Sequence, residues 1–196
     1  SYFGLKAVER LNALHMLIDC AHAGYQTSLD AIEASSAPVI ISHANAFAIQ
    51  DNARNIPDTL IKAIAENGGV IGTVGFPPFL TWNGQATLDQ FIDDIAYKAD
   101  LVGIDHVGIG IDYYLGQHPI EDDETALSRY QKLIAAGHWR TSEYPPPPYK
   151  FPAEIETPRS LPRLTEGLMA RGFAEDDIRK ILGLNWLRVY RDVWGD

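Results

Sequence analysis

The sequence predicts an α/β fold in which short parallel strands, covered by helices, stand side by side as in a barrel. Two observations carry this. Short, continuously apolar runs alternate with stretches of helical period, and strands apolar on both faces belong to parallel sheets with helices over them. Gly108 and Gly110 lie inside the fourth run, which suits a crowded barrel interior. A Rossmann fold fits less well, because Gly108-Ile-Gly-Ile-Asp112 lacks the third glycine of that fingerprint. The crossovers are expected to be right-handed.

Each element has its own signal. Leu5, Val8, Leu11 and Leu14 have helical spacing, and Met16 to His22 follows as the first strand. Thr27-x-x-Asp30 resembles a capping box opening a helix with Leu29 and Ile32, which Pro38 stops. Val39 to Ser42 is the second strand. Pro57 suits the first turn of a helix holding Leu60, Ile61 and Ile64, and Gly68-Gly69 closes it. Val70 to Val74 is the third strand. Thr87-x-x-Gln90 caps a helix with Phe91, Ile92 and Ile95, and His106 to Ile111 is the fourth strand.

After Asp112 the pattern changes. Residues 113–160 form a polar, proline-rich insertion that includes Pro145 to Pro148. So long a connection is a lid, an interface arm, a flexible segment or a plain surface excursion. From Leu161 the chain is helical again, with Leu164, Leu168, Ile178, Ile181, Leu182, Trp186, Leu187 and Tyr190 as apolar faces. Residues 1–196 read as one domain segment with this insertion inside it.

Composition narrows the function. The 196 residues are 46% hydrophobic and 21% charged, with a net charge of −10, ordinary for a soluble globular protein. No basic cluster exists for nucleic acid to bind. No apolar run approaches the ~20 residues of a membrane helix. No signal or targeting segment is visible, and the compartment stays open. The single cysteine, Cys20, excludes an internal disulfide framework and reads as a small core residue.

Three strand candidates end in a metal-competent or acid–base residue: His22, His43 and Asp112. In parallel barrels the site lies at the carboxyl ends of the strands. Strands about 4.8 Å apart let two such histidines share one metal, with a position left for water. Either histidine alone also fits a hydrogen-bonded core or loop residue. Asp112 fits a ligand, a general base or a turn cap. Arg54, in the loop after His43, fits a bidentate partner for a substrate carboxylate or a solvated surface arginine. Asn45 could orient His43 or its loop. His15, His118 and His138 have no obvious partner, and His106 starts a strand and reads as structural.

Several segments resemble one family. Pro38-Val-Ile-Ile-Ser-His-Ala-Asn-Ala46, Arg54-Asn-Ile-Pro-Asp58 and Ala65-Glu-Asn-Gly-Gly-Val-Ile-Gly72 resemble the membrane (renal-type) dipeptidases, the M19 metallopeptidases. Ile18-Asp-Cys-Ala-His22 looks like that family's fifth-strand end, Gly103 to Asp112 like its eighth-strand motif, and Gly183-Leu-Asn-Trp-Leu-Arg-Val189 like its C-terminal helix signature. The resemblance implies a (β/α)8 TIM barrel with two zinc ions, of which this chain is the C-terminal half, strands five to eight. It implies that His22 and His43 ligate one zinc, Arg54 binds the terminal carboxylate of a dipeptide, and Asp112 is the acid–base residue. Hydrolysis of dipeptides follows, often with tolerance of a D-residue at the C-terminal position.

The family's His-x-Asp motif, its bridging Glu and the histidine that contacts the substrate carbonyl do not occur here. The resemblance therefore implies an N-terminal half elsewhere, as a second chain or a missing segment. Phe76 stands where a substrate-facing Tyr is expected. A homo-oligomer is also expected. Two other readings stand beside the dipeptidase: a non-catalytic half-barrel that binds or assembles, and another amidohydrolase-type enzyme such as a deacylase.

Overall fold

The computed structural model describes residues 1–82, 85–113 and 122–195; His118 lies outside the described residues. Helix α1 (Tyr2–Ala13) opens on Ser1, whose Oγ accepts from the Gly4 amide at 3.2 Å. Strand β1 (Ile18–Asp19) and helix α2 (Tyr25–Ala34) follow. The capping box expected at Thr27 does not form. Extended Gly24 starts the helix, Thr27 lies within it, and Asp30 instead accepts from Gln26 at 2.7 Å. Strand β2 (Val39–Ile40) leads to α3 (Asp58–Glu66), which has Pro57 as its N-cap. Strand β3 (Ile71–Thr73) leads to α4 (Leu88–Val102). Here the capping box does form, with Thr87 Oγ1 accepting from Gln90 N and Gln90 Oε1 from Thr87 N. Strand β4 is Val107–Ile109; His106 sits in the 3₁₀ turn before it rather than in the strand.

All pairings are parallel. Ile18 faces Val39 and Ile71 faces Val107, while a bridge between Ile41 and Ile71 joins the two pairs. The strands therefore stand in chain order, β1–β2–β3–β4. They are shorter than their apolar runs, because the run ends leave the ladder before His22, His43 and Asp112.

Two glycines let these strand ends converge. A Cβ on Gly72 or on Gly110 would lie 2.1 Å or 1.9 Å from the Ser42 carbonyl oxygen. No side chain fits there, so the end of β2 sits directly against β3 and β4.

Helices α3 and α4 cover the sheet. Leu60, Ile61 and Ile64 pack on Val39, Ile41 and Ile71. Phe91, Ile92 and Ile95 pack with Val107 and with Leu164 and Leu168 of α6 (Pro162–Ala170). Residues 113–160 carry a helix of their own, α5 (Asp123–Ala135), capped by Asp122 on the Thr125 amide at 2.8 Å. Tyr130, Tyr144, Phe151 and Ile155 from this segment are buried.

The chain closes with α7 (Glu175–Arg179), a π turn (Lys180–Leu184) and α8 (Asn185–Trp194). Leu187 was expected on the apolar face of α8 but is 46% exposed. Asn185 turns inward instead, where its amide donates to the Ile104 and Val107 carbonyls, each at 2.7 Å. Trp186 Nε1 donates to the Ile109 carbonyl and Arg188 to those of Gly68 and Asp105. The glycine-to-valine signature is thus a clamp of α8 onto β4.

Candidate active site

The strand ends bring His22, His43 and Arg54 into contact. Nε2 of His22 lies 2.8 Å from Nε2 of His43, with the two rings edge-on at 4.8 Å. Arg54 Nη2 lies 2.6 Å from His22 Nδ1. His22 and Asp112 both have left-handed backbones, φ 63° and 71°. Non-glycine residues there cost of order 1–3 kcal/mol and cluster at functional sites.

Each residue is held from behind. Asp19 Oδ1 accepts from the amides of Ala21 and Ser42, at 2.9 and 3.0 Å, and so pins the ends of β1 and β2 together. Ser42 Oγ meets His43 Nδ1 at 2.9 Å. Asn45 bonds elsewhere than to His43: its amide clamps the loop after β3, donating to the Val74 and Phe79 carbonyls and accepting from the Val74 amide. Beneath His43 lies a fully buried ion pair, Lys98 Nζ to Asp94 Oδ2 at 2.6 Å. Lys98 donates to the Ala44 carbonyl, while Asp94 accepts from the Ala46 amide and the Thr73 hydroxyl. The first and third residues after His43, Ala44 and Ala46, are thereby fixed to α4. Burial pulls the Lys98 pKa down, and the Asp94 charge opposes it.

Arg54 is half-buried. Its guanidinium sits 5.7 Å over the Phe79 ring, and its amide donates to Asn52 Oδ1 at 2.9 Å. Its Nε is buried with no hydrogen-bond partner. Among the described residues this leaves an edge of the guanidinium unsatisfied, a state that an added acceptor such as a carboxylate relieves.

Burial lowers the His22 pKa first, and the charges of Arg54 and His43 lower it further; Asp112 and Asp19 oppose them. A neutral imidazole is the form that ligates metal. Two imidazoles on one tetrahedral zinc put their nitrogens ~3.3 Å apart, so the observed pair fits two ligands after a small opening. No group of three or more His, Cys, Asp or Glu side chains able to hold a metal occurs among the described residues. The donor set is compatible with a metal and incomplete.

His106 and His15 are structural. His106 Nδ1 meets the Gly69 carbonyl and His15 Nδ1 that of Val193. Cys20 is buried, and burial raises its thiol pKa.

The family profile described as membrane dipeptidase (peptidase family M19) matches residues 1–141. The chain belongs to this family. The M19 chain is 27% identical over 192 residues to dipeptidase tcpJ of Claviceps purpurea, an alignment covering 97% of this chain and 37% of that protein. It superposes on an amidohydrolase from Pseudomonas aeruginosa with a TM-score of 0.85 at 35% identity, covering 100% of this chain and 58% of the other. A metallopeptidase from Rhodobacter sphaeroides, liganded with a phosphinate mimic of L-Ala-D-Ala, gives 0.75 at 23% identity over 97% of this chain and 46% of the other. The M19 chain thus spans 37% to 58% of the length of these relatives. Family membership implies metal dependence, and no helix among the described residues is long and apolar enough to cross a membrane.

Proposed function

We propose that this chain provides strands five to eight of a (β/α)8 barrel and, with them, one side of a zinc-dependent dipeptidase site. Residues outside this chain, in an N-terminal half or a second polypeptide, complete the site and its second zinc. The sequential parallel order of β1 to β4 supports the half-barrel, and the incomplete donor set supports a partner. Exposed Tyr2 and Phe3 on α1, at 77% and 83%, support a covered face in that assembly or in a homo-oligomer.

His22 and His43 are proposed as ligands of one zinc. Bound zinc would supply Lewis acidity for the scissile carbonyl and a water of lowered pKa. Arg54 holds the free C-terminal carboxylate and so orients the dipeptide and excludes longer chains. Asp112 takes a proton from the attacking water on its carboxylate and returns it to the leaving amine. The contact of Arg54 with the histidine pair carries this reading, because it places a carboxylate anchor beside the metal-competent nitrogens.

Arg54→Ala tests it. In the zinc-loaded assembly with the completing half present, KM for a dipeptide rises at least ~100-fold, while KM for the corresponding dipeptide amide stays within twofold. An unchanged dipeptide KM overturns the carboxylate role. The likeness to an amidohydrolase favours a second reading, a deacylase, which turnover of carboxylate-free acyl substrates in preference to dipeptides would support. Metal-free protein without hydrolytic activity, even with its partner present, would point to a binding module.

A further inference from the structure

Among the described residues, the segment after Asp112 reaches the candidate site at Glu143 and Tyr144. Asn52, 1% exposed, accepts from the Arg54 amide through Oδ1 and donates through Nδ2 to the Glu143 carbonyl at 2.8 Å. The loop bearing Arg54 and the segment bearing Tyr144 are therefore tied through one buried amide. Tyr144 itself is 9% exposed. Its ring stacks on Trp139 at 4.3 Å, lies 5.9 Å from the Phe79 ring that carries the Arg54 guanidinium, and 6.1 Å from Phe76. Tyr130 fixes the Tyr144 backbone by donating to its carbonyl. Burial raises the Tyr144 phenol pKa, while the nearby charge of the Arg54 guanidinium lowers it.

The guanidinium thus lies over Phe79, and Phe79 is backed by Tyr144, from a segment that family resemblance left without a role. Arginine side chains carry about 2 kcal/mol of rotamer entropy, and an anchor that is already fixed when substrate arrives binds it more tightly. We propose that Tyr144 is a positioning residue for Arg54: its hydroxyl and ring hold the guanidinium ready for the substrate carboxylate. This rests on the carboxylate role of Arg54.

Tyr144→Phe is the test, made in the zinc-loaded assembly with the completing half, alongside Arg54→Ala. The ring packing and the Tyr130 bond are kept and only the hydroxyl is lost. Expected is a rise of about tenfold in dipeptide KM, with kcat within twofold, unchanged hydrolysis of the dipeptide amide and an unchanged Tm. Tyr144→Leu, which also loses the ring, raises the dipeptide KM further. A dipeptide KM unchanged in Tyr144→Phe but raised in Arg54→Ala overturns the positioning role alone. A KM unchanged in both removes the carboxylate reading and this inference with it. A change of equal size for dipeptide and amide assigns Tyr144 a structural role and overturns the proposal.

Discussion

Nε2 of His22 faces Nε2 of His43 at 2.8 Å, so one of these nitrogens carries a proton and the other a lone pair. Arg54 decides which. A guanidinium only donates, so its contact at His22 Nδ1 puts the His22 proton on Nε2. His22 then donates to His43, and His43 donates from Nδ1 to Ser42 Oγ.

Zinc at the same Nε2 needs that lone pair free, which moves the His22 proton to Nδ1 and sets it against the Arg54 donor. On the proposed ligation Arg54 would therefore compete with the metal for His22, with its positive charge acting in the same direction. Arg54→Ala is expected to tighten zinc binding by about tenfold, measured by calorimetry with the metal alone. Weaker binding in the variant would contradict this proton order.

The buried pair beneath His43 behaves asymmetrically. Asp94→Ala leaves the Lys98 ammonium without a counter-charge in the core, where both side chains are 0% exposed. This is expected to cost about 3–5 kcal/mol in urea unfolding. Replacing both, as Asp94→Leu with Lys98→Met, keeps the volume and removes the charge, so it costs far less. The double variant still loses the bonds to Ala44, Ala46 and Thr73. It is therefore expected to fold and yet to bind zinc more weakly, separating stability from placement of His43.

A surface pair sets a pH signature. Lys180 lies 2.7 Å from Asp105. The ammonium holds the Asp105 carboxyl below its usual 3.8, so the stabilisation is present above that value and lost as pH falls through the folded pKa. Asp105 in turn holds Lys180 above its usual 10.5, so the stabilisation is present below that value and lost as pH rises through the folded pKa. Lys180→Met is expected to lower Tm slightly between these limits and to leave it unchanged in strong acid and strong alkali. An offset constant across the whole range would show that packing, not charge, is lost.

Periodicity and punctuation made most of this fold legible. Thr87 and Gln90 formed the expected box because both face the first turn of a long amphipathic helix. Thr27 and Asp30 have the same spacing, but Gly24 starts the helix earlier and strands Thr27 inside it. His22 and His43 were visible as strand-end residues, since parallel strands in chain order bring their ends together. Asp94 and Lys98 were overlooked because an acidic–basic pair four residues apart reads as a solvated helix pair. The signal was present: both fall on the same helical stripe as Phe91 and Ile95, where charges must be paired. Asn52 and Tyr144 gave no local signal, because what they do depends on a contact across 91 residues between Asn52 and Glu143.

The clamp of α8 onto β4 has a consequence for how the protein is made. The carbonyls of Ile104 and Val107 find their donor 81 and 78 residues downstream, in Asn185. During synthesis the strand leading to Asp112 emerges well before α8, and these carbonyls wait for Asn185. Strand β4 can pair with β3 as soon as both have emerged, whereas its clamp to α8 forms only after Asn185 has been made.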